Sequence, residues 1–135
     1  MRQSFQFTPG ILLLAENDPL VHKFLRKVLD KAGFTVLSAA TSEEALRIEA
    51  AFPEKIDLLL TAFTMPGLSG SDLAEAVARR RPELTVILMS SYPEVEKIAS
   101  GHGWYYLMKP FVAAALFDLL RDMLGIKVEM LIARV

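Results

Sequence analysis

The stretch LLLTAFTMPGLSG, residues 58 to 70, decides how this chain folds. It begins with a run of leucines, which is typical of a strand buried on both faces of a sheet. The run ends before Met65-Pro66-Gly67, because proline and glycine interrupt regular structure and mark a turn. Ala62 stands at the end of this strand, where side chains of a parallel sheet frequently carry the chemistry of the protein. Its methyl group is unreactive, so the function depends on the side chains that surround it.

Four other short apolar runs alternate with helical patterns along the chain. Their branched and aromatic residues predict strands that are buried on both faces. Strands that alternate with helices indicate an α/β fold, in which a parallel sheet has right-handed crossovers and helices on both faces. The five predicted strands cover residues 11–15, 34–38, 56–61, 85–89 and 105–108.

A helical pattern follows each predicted strand. Asp18 is a suitable N-cap for the first helix, with Pro19 as its first residue and Gly33 as its terminator. Thr41 and Glu44 have the spacing of a capping box at the start of the second helix. The second helix must end before Pro53, and the other three are predicted over residues 73–81, 93–100 and 112–124.

Length and composition exclude several classes of protein. The 135 residues fit one domain with its own hydrophobic core. Fifteen basic and sixteen acidic residues leave a formal net charge of −1, so the balance does not call for nucleic acid or an anionic membrane. The sequence has no cysteine, and its longest apolar runs fall short of the ~20 residues that span a bilayer. We expect a cytoplasmic protein without direct contact to nucleic acid or membrane.

Polar side chains follow three of the predicted strands. In a doubly wound sheet the ligand binds outside the carboxyl ends of the strands, so these side chains converge on one edge. A lysine and a hydroxyl hold phosphoryl oxygens, and carboxylates hold Mg²⁺, which predicts an anion site with a metal beside it. Ala62, after the third strand, leaves this site without a nucleophile. The polar residues are Glu16, Asn17 and Asp18 after the first strand, Ser90 and Ser91 after the fourth, and Lys109 after the fifth.

Four strings, ILLLAENDPLV, DLLLTAFTMPGLSG, VILMSS and YLMKPF, occur in an order and spacing that resemble the receiver domain of bacterial two-component response regulators. The likeness covers about residues 11 to 124. It implies a flavodoxin-like doubly wound sheet of five parallel strands in the order 2-1-3-4-5, with five helices. In the family that the chain resembles, a histidine kinase supplies a phosphoryl group to an aspartate at the end of the third strand, beside a bound Mg²⁺.

The resemblance implies a role for seven positions of this sequence. Two of them depart from the family pattern, because Asn17 stands where a second carboxylate is usual and Ala62 stands where the phosphorylated aspartate belongs. The implied positions are Glu16 and Asn17 for the acidic pair, Ala62 for the acceptor, Thr64 for the carbonyl that binds the metal, Ser90 for the switch hydroxyl, Tyr106 for the switch aromatic and Lys109 for the phosphoryl-binding lysine.

The two departures change the expected chemistry. Acyl phosphate formation needs a carboxylate oxygen as nucleophile, and an alanine methyl has no lone pair with which to attack phosphorus. The neighbouring Thr61 does not replace it, because adjacent strand residues point to opposite faces. Glu16, Asn17 and Thr64 would form only a weak or vestigial Mg²⁺ site, so no cofactor is required. Asp18 is predicted to cap the first helix rather than to bind Mg²⁺ as a further ligand.

The sequence thus predicts a receiver-type domain that acts as a protein-interaction module in phosphorelay signal transduction. Its partner would be a histidine kinase or another signalling protein, and it would not be an enzyme. Two explanations of Ala62 stay open, a natural pseudo-receiver and an engineered block of an ordinary response regulator. Asn17 favours the first, because removal of the acceptor alone requires no change in the acidic pair. The alternative class is a small flavodoxin-like hydrolase, but Ser90 has no evident base in the sequence.

The chain is predicted to contain one domain with a short segment at each end. Residues 1–10 are the N-terminal tail, 11–124 the receiver domain and 125–135 a C-terminal extension. The extension GIKVEMLIARV is apolar at alternate positions, and exposing such surface to water costs about 25 cal/mol per Å². With Trp104 and Tyr105 beside the face of the fourth helix and fifth strand, it favours a homodimer.

Basic residues and histidines outside the site receive structural interpretations. The run Arg79-Arg80-Arg81 is typical of charges at a helix C-terminus, so it does not by itself indicate a nucleic-acid contact. His22 and His102 lack the spacing of metal ligands, and we predict no site for either.

Overall fold

Five short parallel strands form the centre of the molecule in the computed structural model, which describes residues 10–124. In chain order the elements are β1 (Ile11–Ala15), α1 (Pro19–Lys31), β2 (Thr35–Ala39), α2 (Ser42–Ala51), β3 (Leu58–Ala62), α3 (Gly70–Arg80), β4 (Thr85–Ser90), α4 (Val95–Gly101), β5 (Tyr105–Met108) and α5 (Ala113–Leu124). The strands lie in the order β2-β1-β3-β4-β5, so the predicted flavodoxin-like α/β fold is confirmed.

Side-chain caps begin the first two helices where the sequence predicts them. Asp18 Oδ1 accepts the N–H of Leu20 at 2.9 Å, so this carboxylate is a helix cap. Thr41 Oγ1 accepts the N–H of Glu44 at 3.1 Å, and the Glu44 carboxylate accepts the N–H of Ala40 at 2.8 Å. These reciprocal bonds satisfy free backbone donors at the start of α2.

Some element boundaries differ from the sequence prediction. α3 begins at Gly70 rather than at residue 73, because the hydroxyl of Ser69 accepts a backbone N–H at 3.1 Å and caps the helix. β3 begins at Leu58 rather than at residue 56, although Ile56 is also buried. α4 begins at Val95 rather than at residue 93, and no side chain caps it.

The middle strands of the sheet lie at the centre of the hydrophobic core. The register pairs Leu12 with Leu58, and Leu60 with Ile87, and all four side chains are fully buried. Each such side chain stabilises the fold by roughly 1.5–3 kcal/mol relative to an exposed one. This burial fixes the ends of the central strands, and with them the residues that follow. No helix in residues 10–124 is long and apolar enough to cross a bilayer.

Arg81, directly after α3, joins α3 to α2 at the edge of the sheet where the strands begin. Its guanidinium donates to Glu49 Oε2 at 2.8 Å and to the carbonyls of Phe52 and Glu54, each at 2.7 Å. Glu49 is only 3% exposed, and Arg80 Nε lies 3.3 Å from its other carboxylate oxygen. Two of the three consecutive arginines therefore pair with one buried carboxylate, Arg81 from a largely buried position and Arg80 from an exposed one, and the sequence did not predict these contacts.

Residues 1–9 and 125–135 lie outside the described part of the chain. The predicted tail, apart from Gly10, and the C-terminal extension therefore stay predictions. The same holds for the homodimer contact that was assigned to the extension.

Candidate functional site

Four predicted site residues lie at the carboxyl edge of the sheet, each at or just after a strand end. Glu16 follows β1, Ala62 ends β3, Ser90 ends β4 and Lys109 follows β5. The N–H of Lys109 donates to the carbonyl of Ser90 at 2.9 Å, which ties the last two together. Parallel pairing places these ends side by side, as expected for the ligand edge of a doubly wound sheet.

A short ion pair joins two of these residues. Lys109 Nζ donates to Glu16 Oε1 at 2.6 Å, while Glu16 Oε2 accepts the backbone N–H of Asp18 at 2.9 Å. Glu16 is 2% exposed and the Lys109 side chain is 23% exposed. Both oxygens of this buried carboxylate are therefore engaged by the protein, and the charge of the lysine is balanced within the site.

Ala62, at the position predicted for the acceptor, carries a buried methyl group and is 2% exposed. The N–H of Gly70 donates to the carbonyl of Phe63 at 2.7 Å, so the start of α3 packs directly against the end of β3. A Cβ at Gly70 would lie 2.0 Å from the Ala62 carbonyl oxygen, which explains the glycine. Thr61 donates its hydroxyl hydrogen to the Ala62 carbonyl at 2.9 Å and is fully buried, so it is not an exposed nucleophile.

Ser90 and Tyr106 are brought together with the loop that follows β4. Ser90 Oγ accepts the N–H of Tyr92 at 2.9 Å. The Tyr106 hydroxyl lies 2.9 Å from the carbonyl oxygen of Tyr92 and 3.0 Å from that of Ser90, and shares its one proton between them. Burial, and then the negative charges of Glu96 and Glu94, raise the pKa of Tyr106 above its ordinary value of 10.0, whereas the side-chain hydroxyl of Ser90 acts in the opposite direction. The protonated phenol thus holds this loop against β5.

The donor set at the strand ends does not fit Mg²⁺. Both Glu16 oxygens are engaged, and Asp18 caps α1. Asn17 is exposed and donates to the carbonyl of Ala40 at 3.2 Å, and Thr64 is exposed in the loop after β3. Mg²⁺ requires near-octahedral oxygen ligands, usually including carboxylates. Within residues 10–124 no group of three His, Cys, Asp or Glu side chains is arranged to hold a metal.

His102, for which the sequence predicted no site, contacts three residues. Nε2 lies 2.8 Å from Glu75 Oε2 on α3, Nδ1 lies 3.0 Å from the carbonyl of Ile98, and the ring stacks on Trp104 with centroids 4.0 Å apart. The Ile98 carbonyl, and then the Glu75 carboxylate, raise the pKa of His102 above its ordinary value of 6.5. No local sequence signal predicts this contact, because Glu75 is 27 residues away along the chain.

Comparison with known proteins agrees with this geometry. The sequence profile of the response regulator receiver domain matches residues 12–121. Response regulator protein FleR of Pseudomonas aeruginosa is 33% identical over 118 residues, which are 84% of this chain and 24% of that protein. DNA-binding transcriptional regulator NtrC of Escherichia coli is 30% identical over 105 residues, which are 76% of this chain and 22% of that protein. The chain thus spans less than a quarter of the length of either relative.

Solved structures show the same architecture. A response regulator receiver domain protein from Clostridium thermocellum has a TM-score of 0.78 at 26% identity, with 86% of this chain and 94% of that chain covered. The receiver domain from Hybrid Histidine Kinase CckA has a TM-score of 0.73 at 28% identity, with 84% and 97% covered.

Proposed function

The chain belongs to the receiver-domain family of response regulators, and we propose that it acts in two-component signalling as a protein-interaction module that accepts no phosphoryl group on β3. The observation that carries this proposal is the buried methyl of Ala62 at the strand end that Glu16, Ser90 and Lys109 flank. An acyl phosphate forms only on a carboxylate, so the usual acceptor chemistry is absent.

The Glu16–Lys109 ion pair supports this proposal. A lysine that binds a phosphoryl group must offer its charge to the incoming oxygens. Here the ammonium group is held by a carboxylate at 2.6 Å, which the protein supplies itself. The site is therefore electrostatically complete without a phosphoryl group or Mg²⁺, and neither is required as a cofactor.

The environment of Ser90 favours a binding module over a hydrolase. Its hydroxyl oxygen accepts a backbone N–H, and in the part of the chain that the structure describes no side chain bonds to it as a base. A serine without an adjacent base is a poor nucleophile. We expect no turnover of generic phosphate or ester substrates, and turnover that is lost in Ser90→Ala would contradict this part of the proposal.

Receiver domains interact with histidine kinases and effector domains. We assign partner contact in this chain to an exposed apolar surface on α4, β5 and the loop before α4, called here the α4–β5 surface. Large apolar side chains in such a patch are typical of protein interaction sites. A cytoplasmic location is part of the proposal, supported by the lack of cysteine. The surface consists of Tyr92 (56% exposed), Ile98 (37%) and Met108 (44%), whereas Tyr105 (37%), three residues before Met108 on β5, points to the other face of the sheet.

A second copy of the chain is one partner that this surface could take. Sedimentation of the full chain at tens of micromolar tests this, because a dimer with an association free energy of about 8 kcal/mol is populated at that concentration. Met108→Lys on the surface should then shift the chain to monomer, whereas Leu68→Lys, at a comparably exposed site in the loop after β3, should not. A full chain that sediments as a monomer would leave a kinase or an effector as the partner.

Incubation with a small phosphodonor and Mg²⁺ tests the central claim. The intact mass of the full chain should stay unchanged, because no acceptor carboxylate is present. Ala62→Asp restores the acceptor and is the positive control, and Ala62→Asp with Asn17→Asp also restores the acidic pair. A hydroxylamine-labile phosphoryl adduct on the unmodified chain would overturn the proposal. Absence of labelling in both variants would show that the inferred site geometry is wrong.

A further inference from the structure

A groove with a volume of about 530 Å³ lies along the side of α1 that faces the loop after β2. The α1 residues that line it recur at intervals of three and four, which is the spacing of one helical face. Glu16 and Asn17 lie at the end nearest the strand-end site, and Ala40 belongs to the loop after β2. The lining residues on α1 are Pro19, His22, Lys23, Arg26, Lys27 and Asp30.

The groove concentrates positive charge in a chain whose formal net charge is −1. Lys23, Arg26 and Lys27 are exposed, and within residues 10–124 none of them lies within 4.0 Å of a carboxylate. Asp30 is the one carboxylate of the lining that is not already paired with a cation in the described chain, because Glu16 is bonded to Lys109. Three unpaired cations therefore outnumber one free carboxylate.

The order of these cations is unfavourable for an isolated helix. Lys23 and Lys27 are one turn apart on the same face, and like charges at this spacing weaken a helix. Arg26 lies between them in sequence and offers a planar set of N–H donors that matches the oxygens of a phosphate group. A bound anion would relieve the repulsion between the lysines and use the arginine donors.

We propose that this groove binds a small phosphate-bearing anion, of the kind found in the polyphosphate chain of a nucleotide. Its volume lies in the range of small-molecule sites. The centre of a protein–protein interface is usually apolar, but Pro19 and Ala40 are the main apolar residues of this lining. The exposed apolar residues of α1, Leu20 and Phe24, line a separate groove of about 400 Å³ beside Lys109. These features favour a small charged ligand over an acidic protein segment.

The groove is connected to the segment that carries the Glu16–Lys109 pair. His22 Nδ1 donates to the carbonyl of Glu16 at 2.8 Å, so its ring joins the groove wall to the end of β1. The Asn17 amide donates to the carbonyl of Ala40, which joins the loops after β1 and β2. An anion in the groove would thus contact the loop after β1. This proposal goes beyond the assigned signalling role and does not depend on Ala62.

Titration of the ¹⁵N-labelled full chain with inorganic tripolyphosphate tests the proposal by NMR. Amide shifts should be confined to residues 16–30 and Ala40, and they should weaken in about 0.15 M salt, where the screening length falls to about 8 Å. The double variant Lys23→Gln, Arg26→Gln should raise the Kd by about tenfold or more. A matched control, Arg79→Gln with Lys97→Gln, changes net charge equally at exposed positions on α3 and α4 and should leave the Kd within about twofold.

Two further probes distinguish the source of the anion. ATP that binds as tightly as tripolyphosphate supports recognition of the phosphate chain, and ATP that binds more tightly supports a nucleotide ligand. A glutamate-rich peptide of equal charge that binds more tightly than either would overturn the proposal in favour of a protein partner. Absence of shifts with tripolyphosphate, or equal weakening in the groove and control variants, would also overturn it. The amide spectrum of each variant without ligand reports whether it is folded.

Discussion

Two buried glutamates at opposite ends of the parallel strands perform different tasks. Glu16, 2% exposed, lies at the carboxyl edge and pairs with one ammonium group, that of Lys109. Glu49, 3% exposed, lies at the other edge and pairs with the guanidinium of Arg81. Arg81 also donates to three backbone carbonyls in and after α2, whereas the Lys109 side chain makes a single hydrogen bond in the described chain.

The difference lies in how much of the surrounding structure each cation holds in place. A guanidinium with several fixed acceptors is costly to remove, because each acceptor is left without its donor. A lysine on a flexible stem is less costly to remove, since its side chain is 23% exposed and makes a single hydrogen bond in the described chain. The Glu49–Arg81 pair is therefore a structural contact, and the Glu16–Lys109 pair lies where ligands of this fold bind.

Arg81→Met should produce the largest effect. It leaves the Glu49 carboxylate buried without its main partner, and breaking such a pair costs about 3–5 kcal/mol. We expect a loss of about 3 kcal/mol in the free energy of unfolding, because Arg80 Nε at 3.3 Å still compensates part of the charge. Urea denaturation of the purified full chain measures it.

Arg79→Met is the matched control for this change. Arg79 is on the same helix and is exposed, so its replacement should alter stability by no more than about 0.5 kcal/mol. A loss below about 1 kcal/mol for Arg81→Met would show that the Glu49–Arg81 pair is weak, and the contrast between the two glutamates would disappear.

Lys109→Met should have a smaller effect on stability. Glu16 loses its cation but keeps the N–H of Asp18 at 2.9 Å, and water can reach the partly exposed site. We expect a loss of about 2 kcal/mol by the same measurement. Adding Glu16→Gln should recover part of this loss, because a neutral amide needs no cation. If Lys109→Met lowered the free energy of unfolding as much as Arg81→Met, the contrast between the Glu16–Lys109 pair and the Glu49–Arg81 pair would be wrong.

The sequence predicted the residues at the carboxyl ends of the strands, such as Glu16 and Lys109, better than the Glu49–Arg81 pair at the other end. The reasons are physical. Asp18 and Thr41 act on backbone groups two or three residues away, so their caps can be predicted from local spacing. Glu16 and Lys109 follow strands, and parallel topology brings strand ends together. Glu49 lies inside a helix and meets its arginine 32 residues later, so only tertiary packing creates that pair. The groove along α1 was missed for a similar reason, since its wall includes the loop after β2.

Tyr106→Phe extends the comparison to a neutral contact at the carboxyl ends of the strands. It removes the hydroxyl that bonds to the carbonyls of Tyr92 and Ser90. A neutral hydrogen bond contributes about 1 kcal/mol, so the expected loss in unfolding free energy is below that of Lys109→Met. Tyr105→Phe is the control, because Tyr105 is 37% exposed and its hydroxyl has no hydrogen-bond partner in the described chain. Equal losses in both variants would show that the Tyr106 hydroxyl contributes little to holding the loop.

Glu75→Gln tests an ion pair that solvent reaches, and its effect on stability should be the smallest, under about 0.5 kcal/mol. The pKa of His102, followed by NMR of its ring protons, should fall part of the way toward 6.5, because the Ile98 carbonyl, its largest cause, remains. Since the folded-state pKa is raised, the stability that protonated His102 contributes is complete below pH 6.5 and is lost as the pH rises through the folded-state pKa. Asp72→Asn, an exposed carboxylate on the same helix, is the control and should leave this pKa unchanged. An unchanged His102 pKa in Glu75→Gln would show that solvent screens the attraction between Glu75 and the imidazolium. Equal shifts in both variants would show that the net charge of α3, rather than the 2.8 Å contact, sets the pKa of His102.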